Sequence, residues 1–281
     1  MGLTNFKSIL RGTSGLDAVK LLLLQSIYSR PRYSKLASAL LRPFYRAGKL
    51  SVHFDSGGRR FTVDIRKSDQ ASDFYSLMEI GVRHIYNLDP AFAPTLVIDG
   101  GGNIGVFTLC AAALYPGAQI RTCEPVPWNV AQIRTHLAQN DVTTDLLEVC
   151  IGGYPRRIPF YCREANQSSF DPGKPYTSTI EVPVVTLAEI TKGEAQRILI
   201  KLDIEGMERE ALESYLPGEH RSVYIVGELH GHKQHHAEME RLFVQHGWRL
   251  RFDDVSDAGS IFAAWSPAAC DERSTRRSAS A

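Results

Sequence analysis

The chain has 281 residues, 43% of them hydrophobic, which is enough to bury one large core with an added N-terminal piece. Its net charge of +1 indicates no strong overall electrostatic field, so we expect neither nucleic acid nor an anionic membrane as the main partner. The longest apolar run near the N-terminus, LLLL at 21–24, falls well short of a bilayer-spanning stretch, so we expect no stable membrane insertion. Lys and Arg are concentrated in residues 30–46 and 273–277, which we interpret as a solvated helix face and a disordered tail.

The first ninety residues predict an extension of helices and a β-hairpin. In chain order, the pattern predicts two amphipathic helices in 14–47 broken at Arg30-Pro31, a hairpin of 50–54 and 61–65, and a helix over 69–87 ended by Asp89-Pro90. We expect this extension, residues 1–90, to cover a functional site or to form an oligomer contact.

From residue 95 onward, short apolar strands alternate with helical stretches. The strands read TLVIDG, QIRTCEP, LLEVCI, ILIKLDIEG and VYIVGELH. Continuous apolar strands separated by helices predict a parallel sheet covered on both faces. The last two strands, WRLRFDDV and SIFAAWS, follow each other without a helix and predict an antiparallel pair. We therefore expect one domain over 91–266, followed by a disordered tail over 267–281.

The stretch LVIDGGGNIG fits two cofactor-binding patterns. Gly100, Gly102 and Gly105 fit G-x-G-x-x-G, the pattern of a dinucleotide-binding turn. Asp99, Gly101 and Gly105 fit D-x-G-x-x-x-G, the pattern of an S-adenosylmethionine-binding turn. Both turns use glycine for a sharp bend that aims a helix N-terminus at the ligand, so the glycines alone leave the cofactor open.

Two further features favour the methyl donor. An acid directly before the glycines would repel a pyrophosphate, whereas Asp99 could hold the ammonium group of a methionine through water. A hairpin whose last strand inserts antiparallel is the architecture of class I methyltransferases. Glu124, 19 residues after Gly105, could bind ribose hydroxyls in either class. An NAD(P)-dependent oxidoreductase therefore stays an alternative.

Four segments, VIDGGGNIGVFTL, CEPVPWNVAQIRTHLAQN, EVPVVTL and ILIKLDIEGMEREAL, occur in this order and resemble the FkbM-type S-adenosylmethionine-dependent methyltransferases. Their pattern has Ala where this chain has Gly102. The resemblance implies a Rossmann-like class I domain with a seven-stranded, mostly parallel sheet and a C-terminal antiparallel hairpin. It also implies an O-methyltransferase that acts on a hydroxyl of a sugar or of a natural product. A non-catalytic cofactor-binding module is the remaining alternative.

The resemblance and the strand ends together predict a cofactor site. The residues expected there, from the methionine end to the adenine end, are Asp99, Gly101, Asn103, Gly105, Asp203, Glu124, Pro125, Trp128, Cys150 and Ile151.

Four side chains at the ends of two later strands are the candidate catalytic residues. Asp203, Glu205 and Glu228 could orient the acceptor or accept its proton, and His230 could be the general base because its ordinary pKa is near neutrality. The alternative for Glu205 is that it caps the helix starting at Gly206. We predict no metal, although Asp203 with Glu228 could hold Mg²⁺.

The polar loop over 163–180 predicts a lid that closes over the acceptor. Its hydrogen-bonding candidates are Asn166, Gln167, Ser168 and Tyr176.

The five cysteines include no CxxC pair and lie mostly in apolar runs. This usage predicts reduced, buried thiols in a cytoplasmic protein, with neither a disulfide framework nor a zinc site.

Overall fold

The fold is known from a computed structural model. It describes residues 3–13, 15–29, 31–162, 176–193, 195–219, 221–230, 234–255 and 259–270. No helix among these residues has the length and apolar character needed to cross a bilayer.

The N-terminal extension contains the helices and the hairpin that the sequence predicts, and one further helix, α1, that it does not predict. Its elements are α1 (Leu3–Gly12), α2 (Gly15–Ser29), α3 (Pro31–Leu41), β1 (Lys49–Ser56), β2 (Arg59–Arg66), α4 (Gln70–Ser76) and a π-helix (Leu77–Val82). The predicted helix over 69–87 ends early, at Val82. His84 and Asn87 have left-handed φ angles of 51° and 43°, which a continuing right-handed helix excludes.

The rest of the chain alternates strands and helices. In order these are β3 (Leu96–Gly100), α5 (Val106–Leu114), β4 (Gln119–Cys123), α6 (Pro127–Gln139), β5 (Asp145–Leu147), β6 (Cys150–Gly152), β7 (Arg156–Cys162), β8 (Ser178–Thr186), α7 (Leu187–Ile190), β9 (Arg197–Leu202), α8 (Glu208–Tyr215), β10 (Ser222–His230), α9 (Gln234–Gln245), β11 (Arg249–Val255) and β12 (Gly259–Trp265).

A seven-stranded sheet with the order β11-β12-β10-β9-β3-β4-β5 forms the centre of the fold. Strands β10, β9, β3, β4 and β5 are parallel, and β12 inserts antiparallel between β10 and β11. Both faces of the sheet are buried. Ile98 packs towards α8 and α9 on one face, and the neighbouring Val97 packs towards α5 on the other face. This arrangement confirms the Rossmann-like class I methyltransferase fold with its antiparallel C-terminal hairpin.

The segment LLEVCI does not form the single strand that the sequence predicts. β5 ends at Leu147 in the central sheet, and β6 begins at Cys150 in a separate three-stranded sheet of order β6-β8-β7. Between them, the exposed Glu148 accepts a hydrogen bond from Arg134 at 2.7 Å. The apolar run is therefore divided between two sheets, and Cys150 and Ile151 lie beside the central sheet.

The N-terminal extension shares a core with the rest of the protein. Buried residues of α2, β1, β2 and the π-helix pack against Ile104 in the glycine turn and against Val106 and Leu109 of α5. At the other end of the chain, Ala269 is buried in a core cluster, so residues 267–270 differ from the predicted tail. Residues 271–281 of that tail lie outside the described part of the chain.

Candidate active site

A cavity of about 300 Å³ opens at the carboxyl ends of the parallel strands. This edge is where open α/β sheets bind ligands. The predicted site residues that line it are Gly101, Asn103, Glu124, Pro125, Trp128, Cys150, Ile151, Asp203, Glu205, Glu228 and His230. Asp99 and Gly105, also predicted, are not part of its lining.

The glycine turn between β3 and α5 forms one side of the cavity. Gly101, Asn103 and Gly105 have positive φ angles of 77°, 48° and 83°. A Cβ on Gly101 would lie 1.9 Å from the carbonyl oxygen of Asp203, which no side chain tolerates. The D-x-G-x-x-x-G spacing therefore places glycine where the turn meets the end of β9.

Asp99 lies beneath this turn and is fully buried. It accepts a hydrogen bond from Thr108 Oγ1 at 2.7 Å, and its Oδ1 atom lies 3.4 Å from Nζ of Lys201. Lys201 is also buried and donates to the carbonyl oxygen of Gly101 at 2.6 Å. Asp99 therefore acts on the turn through Lys201.

Lys201 is a site residue that the sequence motifs do not predict. The apolar strand ILIKL could have identified Lys201, because a Lys inside a buried strand must pair with a buried anion.

Glu124, at the end of β4, is the acid that the sequence predicts for the ribose. It accepts hydrogen bonds from the backbone N–H groups of Asn103 at 2.8 Å and Val126 at 3.0 Å, and from Asn129 Nδ2 at 3.2 Å. Burial raises the pKa of Glu124 to about 7 despite these bonds. A carboxylate offers about four acceptor sites, so an acceptor site on Oε2 remains for a ligand.

His230, at the end of β10, is surrounded by carboxylates. Its Nδ1 lies 3.0 Å from Oε1 of Glu208, and its Nε2 lies 3.9 Å from Asp203 Oδ1 and 3.7 Å from Glu205 Oε2. Burial alone would lower the pKa of His230, but Glu208, Asp203 and Glu205 raise it to about 10. His230 therefore holds its proton more tightly than an ordinary histidine, which argues against the general-base hypothesis.

Glu208 is a second residue that sequence reasoning missed. Its Oε1 also accepts from the backbone N–H groups of Ile204 at 3.0 Å and Gly206 at 3.2 Å. The helix α8 begins at Glu208, and Glu205 adopts a left-handed φ of 57° before it. The alternative that Glu205 caps a helix starting at Gly206 is therefore wrong, and Glu205 is left to line the cavity.

The acidic side of the cavity holds three carboxyl groups with raised pKa values. Burial raises the pKa of Glu205 to about 8 and that of Glu79 to about 7. Burial and the nearby charge of Asp203 also raise the pKa of Glu228. Perturbed acids gathered in one cleft are typical of functional sites.

One ligand atom each from Asp203, Glu228 and His230 lies within 4.8 Å of the other two. The Mg²⁺ alternative would therefore have three protein donors.

The loop predicted as a lid lies mostly outside the described residues, including Asn166, Gln167 and Ser168. Tyr176 is described and exposed, and its ring contacts that of Tyr161.

The N-terminal extension supplies the remaining wall of the cavity, which the sequence predicts only as a cover. Glu79 lies on the π-helix, and Tyr86 donates to Asp203 Oδ2 at 3.1 Å. Ser76 Oγ accepts from Asn103 Nδ2 at 2.7 Å, so the extension also holds the glycine turn. A π-helical turn at a functional site is a common association.

Comparison with known proteins identifies the family. Residues 99–250 match the methyltransferase FkbM domain. The chain is 26% identical over 216 residues to the 31-O-demethyl-FK506 methyltransferase FkbM of Streptomyces tacrolimicus, covering 65% of this chain and 80% of that protein. It is 27% identical over 199 residues to Methyltransferase 1 of Beauveria bassiana, covering 61% and 79%.

The chain is also similar to solved structures at low identity. The precorrin-6y C5,15-methyltransferase of Geobacter metallireducens is 16% identical, with a TM-score of 0.41 over 66% of this chain and 87% of that chain. M. jannaschii TYW2 in complex with AdoMet is 11% identical, with a TM-score of 0.43 over 79% and 87%.

Proposed function

We propose that this chain, which belongs to the FkbM methyltransferase family, transfers a methyl group from S-adenosylmethionine to a hydroxyl oxygen of a sugar or natural-product acceptor. The observation that carries the proposal is that Glu124, the glycine turn and the strand-end acids Asp203 and Glu228 line one cavity. The name of the Streptomyces relative, a 31-O-demethyl-FK506 methyltransferase, supports an oxygen acceptor.

The residues present fit S-adenosylmethionine. Gly101 and Asn103 of the glycine turn line the cavity, and the Oε2 atom of Glu124 keeps an acceptor site for a ribose hydroxyl. Trp128, which is partly exposed at the start of α6, offers a ring for the adenine. When bound, this cofactor supplies an electrophilic methyl group on a sulfonium.

The strand-end acids suit the acceptor side of such a transfer. Methyl transfer is an in-line displacement, so Asp203 and Glu228 would act first by orienting the acceptor hydroxyl. The carboxyl group of Glu228 has a raised pKa, which suits a group that accepts the hydroxyl proton. We assign Glu228 as the base and His230 as a hydrogen-bond donor to the acceptor.

Calorimetric titration with S-adenosylhomocysteine and, separately, with NAD tests the cofactor. We expect binding of S-adenosylhomocysteine only, weakened in Glu124→Ala and unchanged in Glu148→Ala. Glu148 is an exposed acid close to the same sheet edge, so it controls for a general change of charge. Binding of NAD alone would overturn the proposal and restore the oxidoreductase alternative.

Methyl transfer is then measured directly. Incubation with S-adenosylmethionine carrying a labelled methyl group and with panels of glycosides and polyketide alcohols should label an acceptor, and mass spectrometry should place the methyl on oxygen. Labelling on nitrogen or carbon would refute the oxygen assignment while leaving the cofactor assignment intact.

A further inference from the structure

The charge of this chain is divided unevenly along the sequence. The first 54 residues contain nine Lys and Arg but only one acid, Asp17, which gives this segment a net charge of +8. The remaining residues contain 23 Lys and Arg and 30 acids, a net charge of −7. The near-zero total charge therefore hides a strongly basic N-terminal segment.

The basic segment also exposes large apolar side chains. Tyr33, Leu36 and Leu40 on α3 are 49%, 62% and 52% exposed. Their spacing of three and four residues places them on one face of the helix. Leu16 and Val19 on α2 are exposed as well. Only Ala37 and Leu41 of the described α3 side chains are buried, so most of this helix faces away from the protein.

Three cations lie on α3 or within five residues of its end. Lys35, Arg42 and Arg46 are exposed, and none of them forms an ion pair with a described residue. By contrast, Lys20 on α2 is already held by Asp17 at 2.9 Å. The surface available to a partner therefore combines apolar side chains with positive charge.

We propose that the exposed face of α3, with the start of α2, is a docking surface for an anionic lipid bilayer. Amphipathic helices with apolar and cationic residues lie in the interface of such bilayers without crossing them. Leu36 and Leu40 would enter the boundary between head groups and acyl chains. Lys35, Arg42 and Arg46 would contact anionic head groups, each contributing electrostatic attraction.

The same features argue against two other occupants. A second copy bound through the same face would bring two segments of charge +8 together without compensating acids. A nucleic acid would match the charge, but it offers no apolar surface for Leu36 and Leu40. The bilayer accounts for both the apolar and the cationic side chains.

The docking surface is connected to the candidate active site. The ring of Tyr28 on α2 stacks on Phe74 at 5.6 Å and contacts Tyr75 at 5.7 Å. Tyr75 lines the cavity, so a bilayer bound to α2 and α3 would lie on the element that supports the cavity wall. This proposal does not depend on the reaction assigned to the cavity.

Vesicle flotation with the full chain tests the proposal. Vesicles of phosphatidylcholine containing about one third phosphatidylserine should carry the protein upward, and vesicles of phosphatidylcholine alone should carry much less. Added salt should weaken the association because surface charges are screened. The triple variant Lys35→Glu, Arg42→Glu, Arg46→Glu should lower the partition coefficient about a hundredfold or more.

Matched variants test whether the apolar face of α3 itself binds the lipid. Leu36→Ser with Leu40→Ser should abolish flotation, whereas Val244→Ser, an equally exposed apolar residue on α9, should leave it unchanged. Circular dichroism and thermal melting confirm that each variant is folded. Equal flotation on neutral vesicles, no flotation, or loss in the Val244 control would overturn the proposal. Sedimentation that shows a dimer broken by the Leu36 and Leu40 substitutions would assign the face to a second copy instead.

Discussion

Nδ1 of His230 lies 3.0 Å from Oε1 of Glu208, a carboxylate that is 1% exposed. The same oxygen accepts backbone N–H groups at the start of α8, which fixes the carboxylate in place. Glu208 therefore orients the imidazole so that Nε2 points towards Asp203 and Glu205. Glu208 does not line the cavity, so we regard it as a positioning residue.

We predict that Glu208→Gln lowers the pKa of His230 by more than about one unit, because the variant loses a buried anion and keeps the shape. NMR titration of the imidazole measures this pKa directly. The raised pKa of His230 also makes the stability of the folded protein depend on pH. His230 has a raised folded pKa, so its stabilising contribution is complete below the ordinary value of 6.5 and is lost as pH rises towards about 10. An unchanged His230 pKa in Glu208→Gln would contradict the assignment.

The assignment of Glu228 as the base gives a kinetic prediction. Glu228→Gln should lower kcat by about 10²–10⁴, the range for loss of a general base, while S-adenosylhomocysteine binding stays within about twofold. The acidic limb of the pH–rate profile should disappear with the carboxyl group. Glu181→Gln, an exposed acid on β8, serves as the control. A variant with unchanged kcat would move the proton-accepting role to Asp203.

Glu124 should make the stability of the ligand-free protein depend on pH. Burial raises its pKa from 4.5 to about 7, so the neutral form is favoured by folding. Its stabilising contribution is present below pH 4.5 and is lost as pH rises through 7. Glu124→Gln stays neutral, so it should gain up to about 3 kcal/mol relative to the wild type between pH 5 and pH 8. Urea unfolding at both pH values measures the difference, and parallel pH curves would contradict it.

The strands and glycine turn could be read from the sequence because each depends on local pattern. Apolar runs such as ILIKL identify buried parallel strands, and D-x-G-x-x-x-G identifies the turn that meets Asp203. The break of LLEVCI at Glu148 could not be read, because it depends on β6 pairing with β8, more than thirty residues away. Long-range pairing leaves little trace in a short segment.

The candidate site could also be predicted only in part from the sequence. Asp203 follows β9, and Glu228 and His230 lie in the last three residues of β10, so topology brings them together at one edge. The extension wall with Glu79 and Tyr86 was missed, because no local motif marks a helix that returns to the sheet edge. The pKa of His230 was also unpredictable, since it depends on Glu208 on the next element.

The surroundings of Gly102 explain why this chain has glycine where the family pattern has alanine. A Cβ at this position would lie 2.6 Å from Cγ2 of Thr122, which is fully buried on β4. Thr122 is held in place by its hydroxyl contacts with Thr108 at 2.6 Å and Thr144 at 3.0 Å, and β-branched side chains have few alternative rotamers. The Ala common in the family therefore does not fit beside Thr122.

We predict that Gly102→Ala lowers the free energy of unfolding by about 1–3 kcal/mol through overpacking. Thr122→Ser removes the methyl group and keeps the hydroxyl, so the double variant should recover most of this loss. A double-mutant cycle by chemical denaturation should give a coupling energy of about 1 kcal/mol or more. Additive effects would place the strain elsewhere in the turn.

A buried ion pair should control the stability of the extension that forms the cavity wall. Arg66 on β2 donates to Asp73 at 2.7 and 2.9 Å and also reaches Asn129 Oδ1 at 2.9 Å. Asp73 is fully buried, so removing its partner leaves an uncompensated charge. We expect Arg66→Ala to cost about 3–5 kcal/mol.

The same hairpin offers a matched control for Arg66. Arg60 pairs with Asp55 at 3.0 Å, but both side chains are about half exposed, so Arg60→Ala should change the free energy of unfolding far less than Arg66→Ala does. Thermal and urea unfolding measure both variants. Because Arg66 also connects the extension to α6 beside Trp128, its loss should weaken S-adenosylhomocysteine binding in the protein that remains folded. Equal effects of the two substitutions on the free energy of unfolding would show that the burial of Asp73 does not control the stability of the extension.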